Sequence, residues 1–316
     1  MEADELELLD KSVRHALASA PDADDALEGI GWSDVLAAEP RDAVSVVFTA
    51  LGDLHAVASA LDDVLLDALG ALASGAVALP AFGRWDPPGT MHHGLLAVDG
   101  LALARVSRRG TVAVPARDGE HVVLAIVPTD VVERTAVAGL SPELCLSHLR
   151  ADAVQPVSVE VLAATAWDDA LITGRRALAT ELVAAGRAML RLARDHALER
   201  VQFGRPIAQF QAVRHRLAET YVALEAADAA VVSAWDAPGP LTAMLAKSLA
   251  GRGATIAMRH CQQVLAGIGF TQEHALHHYL KRAMVLDGLL GSSTRLPKEI
   301  GSMLLESRTL PRLLDL

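Results

Sequence analysis

From Asp168 onward, Ala- and Leu-rich segments with helical spacing run almost without interruption. Candidate helices cover Arg175 to Val201, Ile207 to Trp235, Leu241 to Ala266, Thr271 to Leu286 and Pro297 to Leu305. Breaks fall at Gly204-Arg205-Pro206, Pro238-Gly239-Pro240, Gly267 to Gly269 and Gly291-Ser292-Ser293. Long helices joined by short Gly/Pro breaks pack as antiparallel neighbours, so this half predicts a helical bundle. Hydrophobic residues make up 52% of the chain but aromatic residues only 3%, which leaves Ala, Leu and Val as the apolar mass. Ala and Leu have high helix propensity, and a core without bulky rings suits close helix–helix contact.

The first 75 residues are also helical in pattern. Leu6, Leu9, Val13 and Leu17 fall near helical spacing, Asp22 and Asp24 are candidate caps, and Pro40 suits a first helical turn. The segment from Val46 to Leu69 is apolar on too many sides for a surface helix and is expected between neighbours. The composition changes at Val77. Short β-branched runs (Leu101 to Val106, Thr111 to Pro115, His121 to Pro128, Val131 to Val137, Val157 to Val161) alternate with Asp99-Gly100, Asp118-Gly119 and Asp86-Pro87-Pro88-Gly89. The expected organisation is an N-terminal helical domain (1–75), a small, mainly antiparallel β domain (76–165) and a C-terminal helical bundle (166–316).

A net charge of −11 argues against a nucleic-acid backbone as partner. Cys145 and Cys261 are too few for a disulfide framework and suit a reducing cytoplasm. No apolar run reaches the roughly 18 residues of a membrane span, and the acidic start Met1-Glu2-Ala3-Asp4-Glu5 is unlike a signal peptide. His274, His277 and His278 lack the His-Glu-x-x-His order and a recognisable third ligand, so no metal site is expected.

Between the first two bundle segments lies Glu199-Arg200-Val201-Gln202-Phe203-Gly204-Arg205-Pro206-Ile207-Ala208-Gln209-Phe210-Gln211. Downstream lies Gln263-Val264-Leu265-Ala266-Gly267-Ile268-Gly269-Phe270-Thr271. The first block resembles the signature of the acyl-CoA dehydrogenase family, and the second falls where that family has a Gln-x-x-Gly-Gly-x-Gly turn. Any one of these residues alone reads as a solvated cation, a helix terminator or a polar face; the fixed order of both blocks carries the resemblance. It implies the acyl-CoA dehydrogenase fold, with N-terminal helices, a middle β domain and a C-terminal four-helix bundle, and with it FAD and an α,β-dehydrogenation of an acyl-CoA thioester. In that reaction a carboxylate takes the α proton while the β hydrogen leaves as hydride to the flavin. The resemblance further implies that Arg200 meets the pyrophosphate of a flavin bound mainly by a neighbouring subunit. Gln202, Gln211 and Gln263 would add polar contacts, Gly267 a close backbone approach, and Phe203 packing near the adenine.

The family places its catalytic glutamate at one of two positions, which correspond here to Leu290 and Gly174. Neither accepts a proton, and loss of a positioned base costs ~10²–10⁴-fold in rate. Asp287, Asp168, Asp169 and Glu273 are nearby acids; all four read better as structural, Glu273 as a helix cap. The family's Thr-Glu-Pro-x-x-Gly-Ser-Asp-like loop is represented at best by Ala78-Leu79-Pro80-Ala81-Phe82-Gly83. Its Trp-containing strand motif has no counterpart, since no Trp falls between Trp85 and Trp167.

The chain therefore resembles the non-catalytic subunit of actinobacterial heterotetrameric acyl-CoA dehydrogenases of steroid side-chain degradation. In these, two copies of a base-bearing subunit pair with two copies of a subunit that completes the flavin site. The segment His274 to Ala283 is similar to the matching helix of such members. Two alternatives stay open: a self-sufficient homomeric enzyme with a relocated base, and a flavin-free structural or regulatory protein.

Overall fold

The computed structural model describes residues 1–71, 75–139 and 141–308. Residues 309–316, which the sequence reading places in the C-terminal bundle, and 72–74, placed in the N-terminal region, lie outside the described residues. The chain opens with α1 (Ala3–Ser19), α2 (Ala23–Gly29), α3 (Trp32–Ala38), α4 (Pro40–Leu54) and α5 (Ala60–Ala68). Asp22 caps α2 as expected, accepting the backbone N–H of Asp24 and Asp25 at 2.9 and 3.2 Å. Asp24 serves elsewhere: its carboxylate accepts the N–H of Ser59 at 2.7 Å. Pro40 sits in the first turn of α4. The apolar stretch that α4 and α5 share is buried, with Val47, Phe48, Leu51, Leu61 and Leu65 at 3% exposure or less.

The strands follow as β1 (Ala76–Val77), β2 (Gly89–His92), β3 (Leu95–Ala102), β4 (Thr111–Asp118), β5 (His121–Pro128), β6 (Glu133–Ala136), β7 (Ser147–Val154) and β8 (Ser158–Val161). They form one sheet in the order β6-β7-β3-β2-β4-β5-β8, with β1 beside β4. Most pairs are antiparallel, while β4 runs parallel to both β1 and β2. The β2–β3 hairpin turns on His93 and Gly94, at φ 50° and 81°. A two-residue type I′ loop needs positive φ at both central residues, and its twist matches that of the flanking strands.

The sheet differs from the sequence expectation in several places, beginning with β1, β2 and the Leu95 to Gly100 part of β3, none of which was expected. Leu101 to Val106 is only the end of β3, followed by a 3₁₀ turn at Ala104–Ser107. Val131 to Val137 divides into a 3₁₀ turn and the short β6. β7 was not expected, because Ser147-His148-Leu149-Arg150-Ala151-Asp152 shows no β-branched run; register with β3 and β6 overrides weak propensity there.

The C-terminal half comprises α6 (Ala166–Glu199), the hairpin β9 (Val201–Gln202) and β10 (Arg205–Pro206), α7 (Gln211–Asp236), α8 (Pro240–Leu265), α9 (Leu276–Gly288) and α10 (Leu296–Ser307). The axis of the fold is α6, which packs against α4, α5, α7, α8 and α9. Small residues let it do so. A Cβ at Gly52 of α4 would lie 2.5 Å from the Glu181 carbonyl oxygen, and one at Gly186 only 2.4 Å from Leu224. At such sites a methyl group would push the helices apart.

Asp62 of α5 is fully buried, at 0% exposure. Burial pushes its carboxyl well above the usual carboxylate range, against the opposing charge of Arg105. Arg105 itself is engaged with Asp63, its Nη2 donating at 2.9 Å. A raised folded pKa contributes stability that is complete below the unfolded value of 3.8 and is lost as pH rises through the folded value. Asp62→Asn is therefore expected to raise the thermal midpoint at pH 8 and to make little difference near pH 4. Melting curves of both proteins across that range check the sign.

Candidate functional site

The C-terminus of α6 builds the first part of the site. Arg200 caps the helix, donating its N–H to the His196 carbonyl at 2.8 Å and accepting from Ile207 N–H at 2.8 Å. The chain then folds into the β9–β10 hairpin, whose loop residues Phe203 and Gly204 take φ 53° and 77°. This is where the expected helix to Val201 ends two residues early. The hairpin lifts Phe203 off the surface, at 91% exposure, with its ring edge-on to Phe210 at 6.1 Å.

The end of α8 supplies the facing wall. After Leu265 the chain enters a 3₁₀ turn, Ala266–Phe270, with Gly267 exposed. Between the two walls lies an open cleft of about 520 Å³, lined among others by Arg200, Gln202, Ile207, Ala266 and Gly267. The structure thus brings together three of the six expected cofactor residues. Gln211, at the start of α7, Gln263, in the last turn of α8, and Phe203 are exposed but do not line the cleft.

The donor chemistry fits the phosphate end of a flavin dinucleotide. Among the described residues the Arg200 side chain has no hydrogen-bond or ion-pair partner, and a Cβ added at Gly267 would meet nothing within 4 Å, so backbone there is open to approach. An unpaired guanidinium beside an accessible main chain is what a pyrophosphate calls for. Sequence reasoning missed Ala266, at φ 52° and ψ −132°. A non-glycine residue held in such a region costs ~1–3 kcal/mol. The signal was present in the sequence, since Ala266 stands where the Gln-x-x-Gly-Gly-x-Gly pattern has its first glycine.

The two positions that the resemblance assigns to a catalytic base meet each other. Leu290 is 0% exposed, and a Cβ on Gly174 would lie 2.6 Å from its Cδ1 and 3.0 Å from Leu65 Cδ2. Leu290 itself takes φ 53° and Gly291 φ 99°. Two buried cations hold this turn. Arg175 Nε donates to the Leu290 carbonyl at 3.0 Å, and Lys247 Nζ donates to the carbonyls of Asp287 and Gly291 at 2.9 and 3.1 Å. Burial pulls Lys247 down to about 8 and Arg175 to about 10. The segment after β1 closes over the turn: Gly83 N–H donates to the Gly288 carbonyl at 2.7 Å, and Arg175 lies 5.8 Å from the Trp85 ring centre.

The nearby acids are placed as follows. Asp287 accepts both the N–H and the hydroxyl of Ser293, at 3.0 and 3.1 Å. Asp168 and Asp169 are exposed in the first turn of α6, which begins at Ala166 rather than Arg175. Glu273 does not cap α9; that helix starts at Leu276, and its first N–H donates to His274 Nδ1 at 3.1 Å. His277 and His278 lie on α9, and His278 comes near His55 and Glu143. Cys145 and Cys261 are both free. Among the described residues no helix is long and apolar enough to cross a membrane.

Comparison with known proteins places this geometry in context. Residues 165–304 match the family described as acyl-CoA dehydrogenase, C-terminal domain. The acyl-CoA dehydrogenase IpdE2 of Mycobacterium tuberculosis is 31% identical over 274 residues, which cover 80% of this chain and 84% of that protein. Among solved structures, the Tcur3481–Tcur3483 steroid ACAD superposes with a TM-score of 0.81 at 21% identity, covering 96% of this chain and 99% of that one. The ChsE4–ChsE5 complex of M. tuberculosis gives 0.77 at 19% identity, covering 98% and 99%. A glutaryl-CoA dehydrogenase of Mycobacterium smegmatis in complex with FADH2 gives 0.74 at 17%, covering 98% and 97%. At these identities the structures speak for the fold alone: helices, a small sheet and a helical bundle. With IpdE2 matched over most of its length, the chain belongs to the acyl-CoA dehydrogenase family.

Proposed function

We propose that this chain is the non-catalytic subunit of a heteromeric, FAD-dependent acyl-CoA dehydrogenase. In this reading it completes the flavin site of a homologous, base-bearing partner that dehydrogenates an acyl-CoA thioester. The observation that carries the reading is the contact between Leu290 and Gly174. Where relatives position a carboxylate, this chain has hydrocarbon packed on Leu61 and Leu65. The relocated-base alternative is disfavoured because Asp287 is committed to Ser293 and the two acids of α6 face solvent.

The outward side of the cleft supports the partner role. Arg200, Gln202 and Gly267 are exposed, and Phe203, Ile268 and Phe270 stand near them at 91%, 42% and 74% exposure. Apolar side chains beside an unpaired guanidinium suit a surface that another subunit and its cofactor cover. FAD, when bound, supplies the hydride acceptor; this chain's share is to neutralise the pyrophosphate through Arg200 and to admit it beside Gly267. Steroid-derived acyl-CoA is the proposed substrate class, since the Tcur3481–Tcur3483 relative is a steroid ACAD. The proposed compartment is the cytoplasm.

Purified alone, the chain is expected to hold little flavin and to give no acyl-CoA-dependent dye reduction; purified with its partner, it should give a yellow, active complex. Robust turnover by the chain alone, with stoichiometric FAD, sinks the reading. Arg200→Ala removes a charge-assisted contact worth ~1.5–3 kcal/mol, so FAD affinity of the complex should fall at least about tenfold. Arg200→Lys should restore only part of it, because an ammonium lacks the guanidinium fork. Unchanged flavin retention after dialysis contradicts the role given to Arg200.

A further inference from the structure

Away from the flavin cleft, three potential metal ligands converge from segments distant in sequence. His55 ends α4 in the left-handed region, at φ 54°. Glu143 lies in the 3₁₀ turn Pro142–Leu144 that precedes β7, and His278 lies on α9. One ligand atom from each falls within 4.8 Å of the others. These groups approach without satisfying one another. His55 Nε2 is 3.6 Å from Glu143 Oε1, beyond a good hydrogen bond, and His55 Nδ1 is buried without any partner.

We propose that His55, Glu143 and His278 form a site for a zinc-class divalent cation that ties the N-terminal helices, the sheet and the C-terminal bundle together. The ligand types suit such an ion: two imidazoles and a carboxylate, with a fourth position for water. Metal–ligand bonds of about 2.1 Å in a tetrahedron put ligand atoms about 3.4 Å apart, so closure asks for side-chain shifts on the order of an ångström.

The surroundings also suit a cation. The Ser141 hydroxyl donates to Glu143 Oε1 at 2.7 Å, an outer hydrogen bond of the kind that orients a metal-ligating carboxylate. The competing positive charge is already matched: Arg282 pairs with Glu181 and donates to the Ala56 carbonyl at 2.6 Å. His277 stacks on His278 with ring centres 3.8 Å apart, and its Nδ1 lies 2.7 Å from the His274 carbonyl oxygen. The proposal is independent of the flavin reading, and its test needs no enzyme activity.

Tag-free full-length protein, stripped with a chelator, is titrated with Co2+ while visible absorption is followed, and then with Zn2+ by calorimetry. The expected result is saturable binding of one equivalent, displacement of Co2+ by Zn2+, and a higher thermal midpoint with metal. His278→Leu, His55→Asn and Glu143→Gln should each weaken binding by more than the ~10–100-fold typical of losing an outer-sphere group. His277→Leu should leave binding largely intact. His278 is exposed on its helix, so its variant tests the site in folded protein. No saturable binding overturns the proposal. So does binding that persists in both His55→Asn and Glu143→Gln, which reassigns the ion to surface histidines.

Discussion

Gly174→Glu, which puts an acid where one branch of the family keeps its base, is expected to give a badly destabilised protein and no new activity. The Cβ alone would stand 2.6 Å from Leu290 Cδ1, and the rest of the side chain would have to displace Leu61 or Leu65. Overpacking of this kind costs ~1–3 kcal/mol. Burial of an imperfectly paired carboxylate adds several kcal/mol more, so a total loss of about 4 kcal/mol or more is expected. Leu290→Glu is the gentler variant, because it replaces existing volume beside Arg175, which has a buried Nη2 without a partner. Its fold should survive, and so it carries the functional test. In a complex whose partner has lost its own base, the Leu290→Glu variant should leave activity down by the ~10²–10⁴-fold that a missing base costs. Recovery to within about an order of magnitude of wild type would show that this chain has a complete acyl pocket lacking only its acid.

Breaking the ion pair between Glu181 and Arg282 is expected to cost ~3–5 kcal/mol, the usual loss when one partner of a buried pair is removed. Both side chains are almost inaccessible, at 4% and 2% exposure. Arg282 Nε donates to Glu181 at 2.7 Å, and its Nη1 reaches back to Ala56, so one guanidinium joins α6, α9 and the end of α4. Glu181→Ala leaves that cation buried beside a carbonyl alone. The double variant Glu181→Leu with Arg282→Met should recover most of the loss, because a hydrocarbon pair of similar volume needs no desolvation. Denaturant melts of the single and double variants check both statements. Equal losses in all of them would mean that packing, rather than unpaired charge, dominates the site.

The parts legible in the sequence were those written in local pattern. Helix periodicity and Gly/Pro breaks located the bundle helices to within a few residues, except at the start of α6 and of α9. The first bundle helix was expected from Arg175, although Asp168 and Asp169 suit a first helical turn and α6 begins at Ala166. The fixed motifs pointed to Arg200, Gln202 and Gly267, which do share a cleft. Contacts between distant segments were not legible. Nothing local announces that Leu290 fills the space beside Gly174, or that Arg175 and Lys247 hold that turn. His278 has its neighbours on α4 and in the turn before β7, which no helical spacing could reveal. Strand β7 escaped notice because its pairing on both sides, not its residue types, keeps it extended.

The length of α6 has a consequence for how such a chain can change over generations. Gly174 and Arg200 ride on one rigid rod, about 39 Å apart at the 1.5 Å rise of a helix. That is too far for both ends to attend to the same part of one cofactor. Mutations that erase the chemistry at one end need not disturb the grip at the other. A duplicated gene can therefore lose its reaction and still be retained for the service it gives a neighbour, with division of labour following from the spacing along a single helix.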